Sequence, residues 1–172
     1  MANATEPNST FAMWQRLASR PFGRQLFSAA MCLRVPYFAT VLPSVRALRP
    51  GFCEVKAPKW WGVHNHIGTF HAIAACNLAE AAMGMLAEAT VPTTHRWLPR
   101  GMTSDYVAKA TTSLRAVAEL ADIPDFEFDE AMDLPVPVTV YDAADKPVVR
   151  AVITIRVAPK PARTETPAAS SG

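Results

Sequence analysis

The chain has 172 residues, half of them hydrophobic and 19% charged, with a formal net charge of +2. That composition is globular rather than disordered, and the length suits one domain with a substantial core. So small a net charge, without any run of five Lys or Arg residues, argues against a nucleic-acid partner. Cys32, Cys53 and Cys76 are odd in number, irregularly spaced and free of any C-x-x-C pair, so a disulfide framework is not expected and a reducing cytoplasm is. No basic start leads into an apolar block, and no run of ~18 apolar residues occurs, so neither a cleaved signal nor a transmembrane helix is expected.

Residues 1–9 are polar and expected to be disordered. From Thr10, a candidate helix cap, Phe11, Trp14, Leu17 and Ala18 recur at helical spacing. Pro21-Phe22-Gly23 interrupts the pattern, and a second helix is expected over residues 24–35. The apolar stretch from Leu26 to Leu48 is broken by Arg34, Pro36, Pro43 and Arg46. It reads as helical pieces packed on the domain, in preference to a membrane-surface segment, although membrane contact through residues 10–48 is the alternative. Residues 1–50 are therefore expected to form an N-terminal helical extension.

Phe52 to Ala57 has the character of a first strand, and residues 58–70 form a loop rich in His, Gly and Trp. A long helix is expected from Phe70 to Ala89, apolar nearly all round like a helix buried inside a protein, with Val91-Pro92 ending it. Beyond it the period is two. Ser104 to Leu120 alternates on either side of Thr111-Thr112-Ser113, Val136, Val138 and Val140 alternate again, and the set Val149, Ala151, Ile153, Ile155 and Val157 is longer still. The turn-rich link from Asp142 to Pro147 makes the last two a hairpin. This order predicts an α+β fold over residues 51–158, one long buried helix wrapped by an antiparallel sheet of five or six strands. The polar, Pro-rich residues 159–172 are expected to be a mobile tail.

Between Phe70 and Leu86 the only formally charged residue is Glu80. A carboxylate is costly to desolvate in such a run, which marks it as a candidate functional group. Just upstream, backbone N–H groups near His71 and Ala72 fall among the unsatisfied donors of the helix start, at the positive end of its dipole. Such donors can stabilise the oxyanion formed when a thioester or ester carbonyl is attacked. Gly68 allows close backbone approach, Asn65 offers an amide to orient a water or carbonyl, and Glu80 can serve as general base or nucleophile. Ala72 and Glu80 are eight residues apart, about 12 Å along a helix and on different sides of it. A two-fold dimer that sets Glu80 of one chain beside the helix start of the other satisfies both, so the site is expected at a subunit interface.

The pattern Asn65-x-x-Gly68-x-x-His71-Ala72, then Glu80, resembles the signature of hotdog-fold thioesterases of the phenylacetate-degradation (PaaI-like) type. In that family the pattern is N-x-x-G-x-x-H-G with an Asp or Glu eight residues after the final Gly. The wider wording, from Lys59-Trp60-Trp61-Gly62 to Arg96-Trp97-Leu98-Pro99, is similar to an uncharacterised branch. The resemblance implies hydrolysis of acyl-CoA or acyl-carrier thioesters without metal or cofactor, CoA or phosphopantetheine being part of the substrate, in a homodimer or dimer of dimers. On these positions Asn65 places the water or carbonyl, His71 helps position the thioester, the Ala72 N–H is the oxyanion donor, and Glu80 of the partner subunit is the acid/base. The chain departs from the family at Ala72, which keeps the N–H but adds a methyl group where the acyl group lies.

Around this centre, Gly68 and Thr69 are candidate substrate contacts, and Arg96, Arg100 and Lys109 are candidates for CoA phosphates, with solvated surface charge as the alternative. Glu88 reads as solvated and Asn77 as a local polar contact. Trp60 and Trp61 either pack the loop or line the acyl pocket. His64, His66 and His71 lack the spacing of a metal site, and no metal is expected. Two rival functions stand beside hydrolysis. One is a hotdog hydratase or dehydratase acting on 3-hydroxyacyl thioesters through His66 and Glu80, which are 14 residues apart; the other is a non-catalytic acyl-binding or interaction module.

Overall fold

The computed structural model describes residues 8–127 and 130–161. The expectations for residues 1–7 and 162–172 lie outside the described residues. Helices α1 (Ser9–Leu17) and α2 (Gly23–Arg34) open the chain, and a 3-10 segment (Pro36–Val41) follows. Strands β1 (Ser44–Arg49) and β2 (Phe52–Ala57) form a hairpin, then comes the long helix α3 (Ala72–Thr90). Strands β3 (His95–Tyr106), β4 (Leu114–Glu119), β5 (Met132–Tyr141) and β6 (Pro147–Pro159) complete one antiparallel sheet in the order β1-β2-β4-β5-β6-β3. This is the hotdog arrangement, with α3 as the filling.

Alternation shapes the sheet. In β5 and β6 the buried positions Leu134, Val136, Val138 and Val140 pair with a second buried row from Val149 to Val157. Both rows press on α3, where every residue from Ala81 to Ala87 is buried. The many alanines of α3 favour helix and let strands approach closely, while Leu78, Met83 and Leu86 fill the gaps. Each such large side chain contributes about 1.5–3 kcal/mol through burial.

Two strands depart from the expected pattern. Residues 44–48, read from sequence as helical, form β1, so the sheet begins before the expected domain boundary at residue 50. The pairing of β1 with β2 shifts register between Val45 and Ala47, and that irregularity breaks the period-two signal. A Pro50-Gly51 turn closes the hairpin, with Gly51 at φ 73°. Strand β3 likewise starts nine residues before Ser104. It is an edge strand paired only with β6, and it carries Pro99 and Gly101 at a register shift. Most of its side chains are exposed on both faces, so no apolar alternation announces it.

The N-terminal helices are bolted to this core. Trp14 packs edge-on against Phe27 with ring centroids 5.1 Å apart, and the Ser28 hydroxyl accepts the Val45 N–H at 3.0 Å. Asn77 on α3 donates to the Tyr37 carbonyl and to Thr40 Oγ1 (3.3 and 3.0 Å), a structural contact as expected but made to the 3-10 segment, far along the chain, and not locally. The cap of α1 is Asn8 rather than Thr10: its Oδ1 accepts the Thr10 N–H at 3.1 Å. Thr10 itself is buried and faces α3.

Gly23 makes the α1–α2 junction, where an added Cβ would fall inside the Leu17 carbonyl. Gly23→Ala is expected to lower unfolding stability by about 1–3 kcal/mol. Urea denaturation followed by circular dichroism checks this, and an unchanged midpoint would mean the junction yields freely.

Candidate active site

The loop ahead of α3 is built around Asn65. Its Oδ1 accepts the N–H groups of Ile67 (3.1 Å) and Thr69 (3.0 Å), and its Nδ2 donates to Thr69 Oγ1 at 2.7 Å. Gly68 turns the chain at φ 73°, with open space where a side chain would be. The amide and carbonyl of Asn65 and the hydroxyl of Thr69 are thus engaged inside the loop, holding its shape. His66 is exposed in the same turn and makes no hydrogen bond to Glu80.

The helix start falls at Ala72, two residues later than expected, with His71 as its cap. His71 Nδ1 accepts the Ile73 N–H at 3.1 Å, and the His71 N–H donates to the Val63 carbonyl at 2.7 Å. That N–H, expected to be a free donor, is therefore occupied. The Ala72 N–H meets no acceptor among the described residues and keeps the exposed donor position at the dipole's positive end.

Glu80 lies one turn beyond Cys76 and two turns beyond Ala72, on a half-buried position of α3. Among the described residues it has neither a hydrogen bond nor an ion pair, and it lines a largely apolar cavity of about 410 Å³ between α3, β3 and the N-terminal helices. Glu88 is its opposite. Read from sequence as solvated, it accepts from Thr10 Oγ1 at 2.6 Å and from the Trp97 indole N–H at 3.2 Å. The partners, from α1 and β3, are distant in sequence, which is why spacing did not reveal them.

A second group escaped sequence reasoning for the same reason. Cys76 Sγ lies 3.3 Å from Tyr106 Oη and 3.7 Å from Ser104 Oγ, across the gap from α3 to β3. The hydrogen bond with Cys76, with burial second, holds the Tyr106 phenol above its ordinary range.

The proposed cations do not converge. Arg100 pairs with Asp133 at 2.8 Å, beside Arg156 at 3.1 Å. Arg156 first and then Arg100 keep the Asp133 carboxyl below its usual range. Arg96 lies near one end of β3 and Lys109 beyond the other, separated by the ~3.3 Å per residue of an extended strand. One chain cannot bring both to a single phosphate. Trp60 packs against the core and Trp61 is exposed, and neither lines the cavity.

Residues 23–157 match the family described as "Domain of unknown function (DUF4442)", and the chain belongs to that family. The structural-genomics target APC5556 is 45% identical, with a TM-score of 0.75 over 88% of this chain and 98% of that one. Protein PA5026 of Pseudomonas aeruginosa, described as of unknown function and a probable thioesterase, is 20% identical with a TM-score of 0.68, over 75% of this chain and 91% of that one. Thioesterase HI1161 of Haemophilus influenzae is 10% identical with a TM-score of 0.63, over 75% and 87% respectively. The last two likenesses concern the fold, and it is the hotdog fold that the motif implies. No curated protein matches the chain.

The geometry separates two roles for Asn65. As a loop former, Asn65→Asp retains both acceptor bonds and is expected to keep most stability, while Asn65→Ala loses about 1–3 kcal/mol. Equal loss of stability from both substitutions, read by thermal melts, would overturn the loop role.

Proposed function

We propose that the protein hydrolyses an acyl thioester, of CoA or of an acyl carrier, using Glu80 as general base. The observation that carries this reading is Glu80 itself, a carboxylate without a partner among the described residues, on the wall of a largely apolar cavity, while Glu88 eight residues on is doubly satisfied. A carboxylate so placed is free to take a proton from water. The water oxygen then bonds to the carbonyl carbon, and the Ala72 N–H of the partner subunit donates to the oxyanion. As the intermediate collapses the C–S bond breaks, and the proton held by Glu80 passes to the departing sulfur. No metal or separate cofactor enters this scheme, and the cysteines stay reduced in a cytoplasmic setting.

The spacing of Ala72 and Glu80 on one continuous helix supports a dimer, since the two lie about 12 Å apart along its axis. The free edge of β3 offers a surface for a second copy, with Leu98 and Tyr106 exposed by 66% and 52%. Thioesterase names borne by proteins of the same fold favour hydrolysis over the hydratase and pure binding alternatives.

A panel of acyl-CoA substrates, read by free-thiol release, tests the assignment. Glu80→Gln and Glu80→Ala are each expected to lower turnover by about 10²-fold or more, with the dimer intact in sedimentation. Undiminished turnover in either variant, or a monomeric wild type, would overturn the mechanism. Ala72→Gly is expected to fold and to hydrolyse at least as fast, because the N–H remains and the methyl is gone; a collapsed fold would show that the helix start had been assigned the wrong task.

A further inference from the structure

The cavity beside Glu80 has a shape and two unlike ends. Glu80 and Glu88 both line it, eight residues apart on α3, so it runs for about 12 Å along the helix axis. At the Glu80 end the carboxylate has no partner among the described residues. At the other end Thr10 and Trp97 occupy both oxygens of Glu88, which ties α1 and β3 to α3. The walls are largely apolar and rich in methionine, with Met13 and Met31 from the N-terminal helices and Met83 and Met85 from α3; Arg34 and Ser9 also reach the lining. Unbranched thioether side chains adapt to flexible ligands. Gly84, midway between the two acids, leaves room that any side chain would take. A Cβ there would meet within 4 Å only the Trp97 ring, at 3.6 Å.

We propose that this slot is the acyl pocket of the same site and takes an unbranched aliphatic chain of medium length. The carbonyl lies at Glu80 and the terminal methyl points to the Thr10–Glu88–Trp97 latch. A methylene group fills roughly the ~30 Å³ of a water molecule, so about 410 Å³ is room for on the order of a dozen carbons. A phenylacetyl group is too short to reach the latch and would leave that end of the slot empty. The N-terminal helices are then part of the specificity machinery, because α1 and α2 form the outer wall that bounds the chain. The proposal rests on the thioester reading for the direction of the chain alone.

Neutral acyl amides separate pocket from catalysis, since they carry the carbonyl without a cleavable thioester or a charge to repel Glu80. Decanamide, hexanamide and phenylacetamide are titrated into the full chain, with binding read by tryptophan fluorescence and calorimetry. Decanamide is expected to bind best. Gly84→Leu from one wall and Ala30→Phe from the other are each expected to weaken decanamide about tenfold or more, the loss of roughly two methylene contacts, and to spare hexanamide. Should Gly84→Leu fail to fold, Gly84→Ala, whose methyl finds ordinary contact distance, and Ala30→Phe carry the same comparison. Decanamide affinity that ignores the wall variants, or phenylacetamide bound as tightly as decanamide, would overturn the pocket. The two readings fail separately. Full hydrolysis by Glu80→Gln defeats the catalytic role and leaves the pocket standing; loss of hydrolysis there with insensitive decanamide binding does the reverse.

Discussion

An apolar helix with a carboxylate in its middle has to be covered, and the rest of the molecule follows from that constraint. The stretch from Leu78 to Ala87 is buried at every position but Glu80. Leaving so much apolar surface in water would cost about 25 cal/mol for each Å². The sheet supplies most of the cover, and α1, α2 and the 3-10 segment supply the remainder. Alanine is the enabling residue, because a helix surfaced with methyl groups lets strands close around it without voids.

Cover is incomplete along one strip. Cys76, Glu80, Gly84 and Glu88 follow one another at four-residue intervals, each turned about 40° from the last, and wind past the side where β3 stands off as a bulged edge strand. Apart from Asn77, the polar groups in the body of the helix lie on this strip. Cys76 meets two hydroxyls and Glu88 two donors, while Glu80 has no hydrogen-bond or ion-pair partner among the described residues. Three polar groups along this strip thus have different chemistry, and the difference comes from what the opposing elements bring. A fixed carboxylate serves structure, and a free one is available to a reaction.

The N-terminal helices gain a meaning from the same strip. The family match begins at Gly23, the first residue of α2, so α1 lies outside it, yet Thr10 of α1 secures Glu88. The helices close one side of the cavity and are held by buried packing at Trp14 and Phe27. They act as a wall, not a loose appendage.

Much of this was legible in the residues. Strict alternation in β5 and β6 and continuous apolarity in α3 left little freedom, because period and burial are local properties of a sequence. The Asn65 to Ala72 motif and Glu80 also stood out, through spacing and through the cost of a lone charge. Strands β1 and β3 did not, since a bulge in one and an edge position in the other erase the period that marks a strand. Only the tertiary structure decided how the polar groups are spent. Asn65 turned inward to its loop, the His71 N–H was taken by Val63, and Glu88 acquired Thr10 and Trp97. Those partners are long-range or set by backbone geometry, and spacing along the chain does not report them. The sequence by itself determined which helix is buried and where its mid-helix acid lies; the packing of α1 and β3 determined that Glu88 is held, that Glu80 has no partner among the described residues, and that a cavity opens beside it.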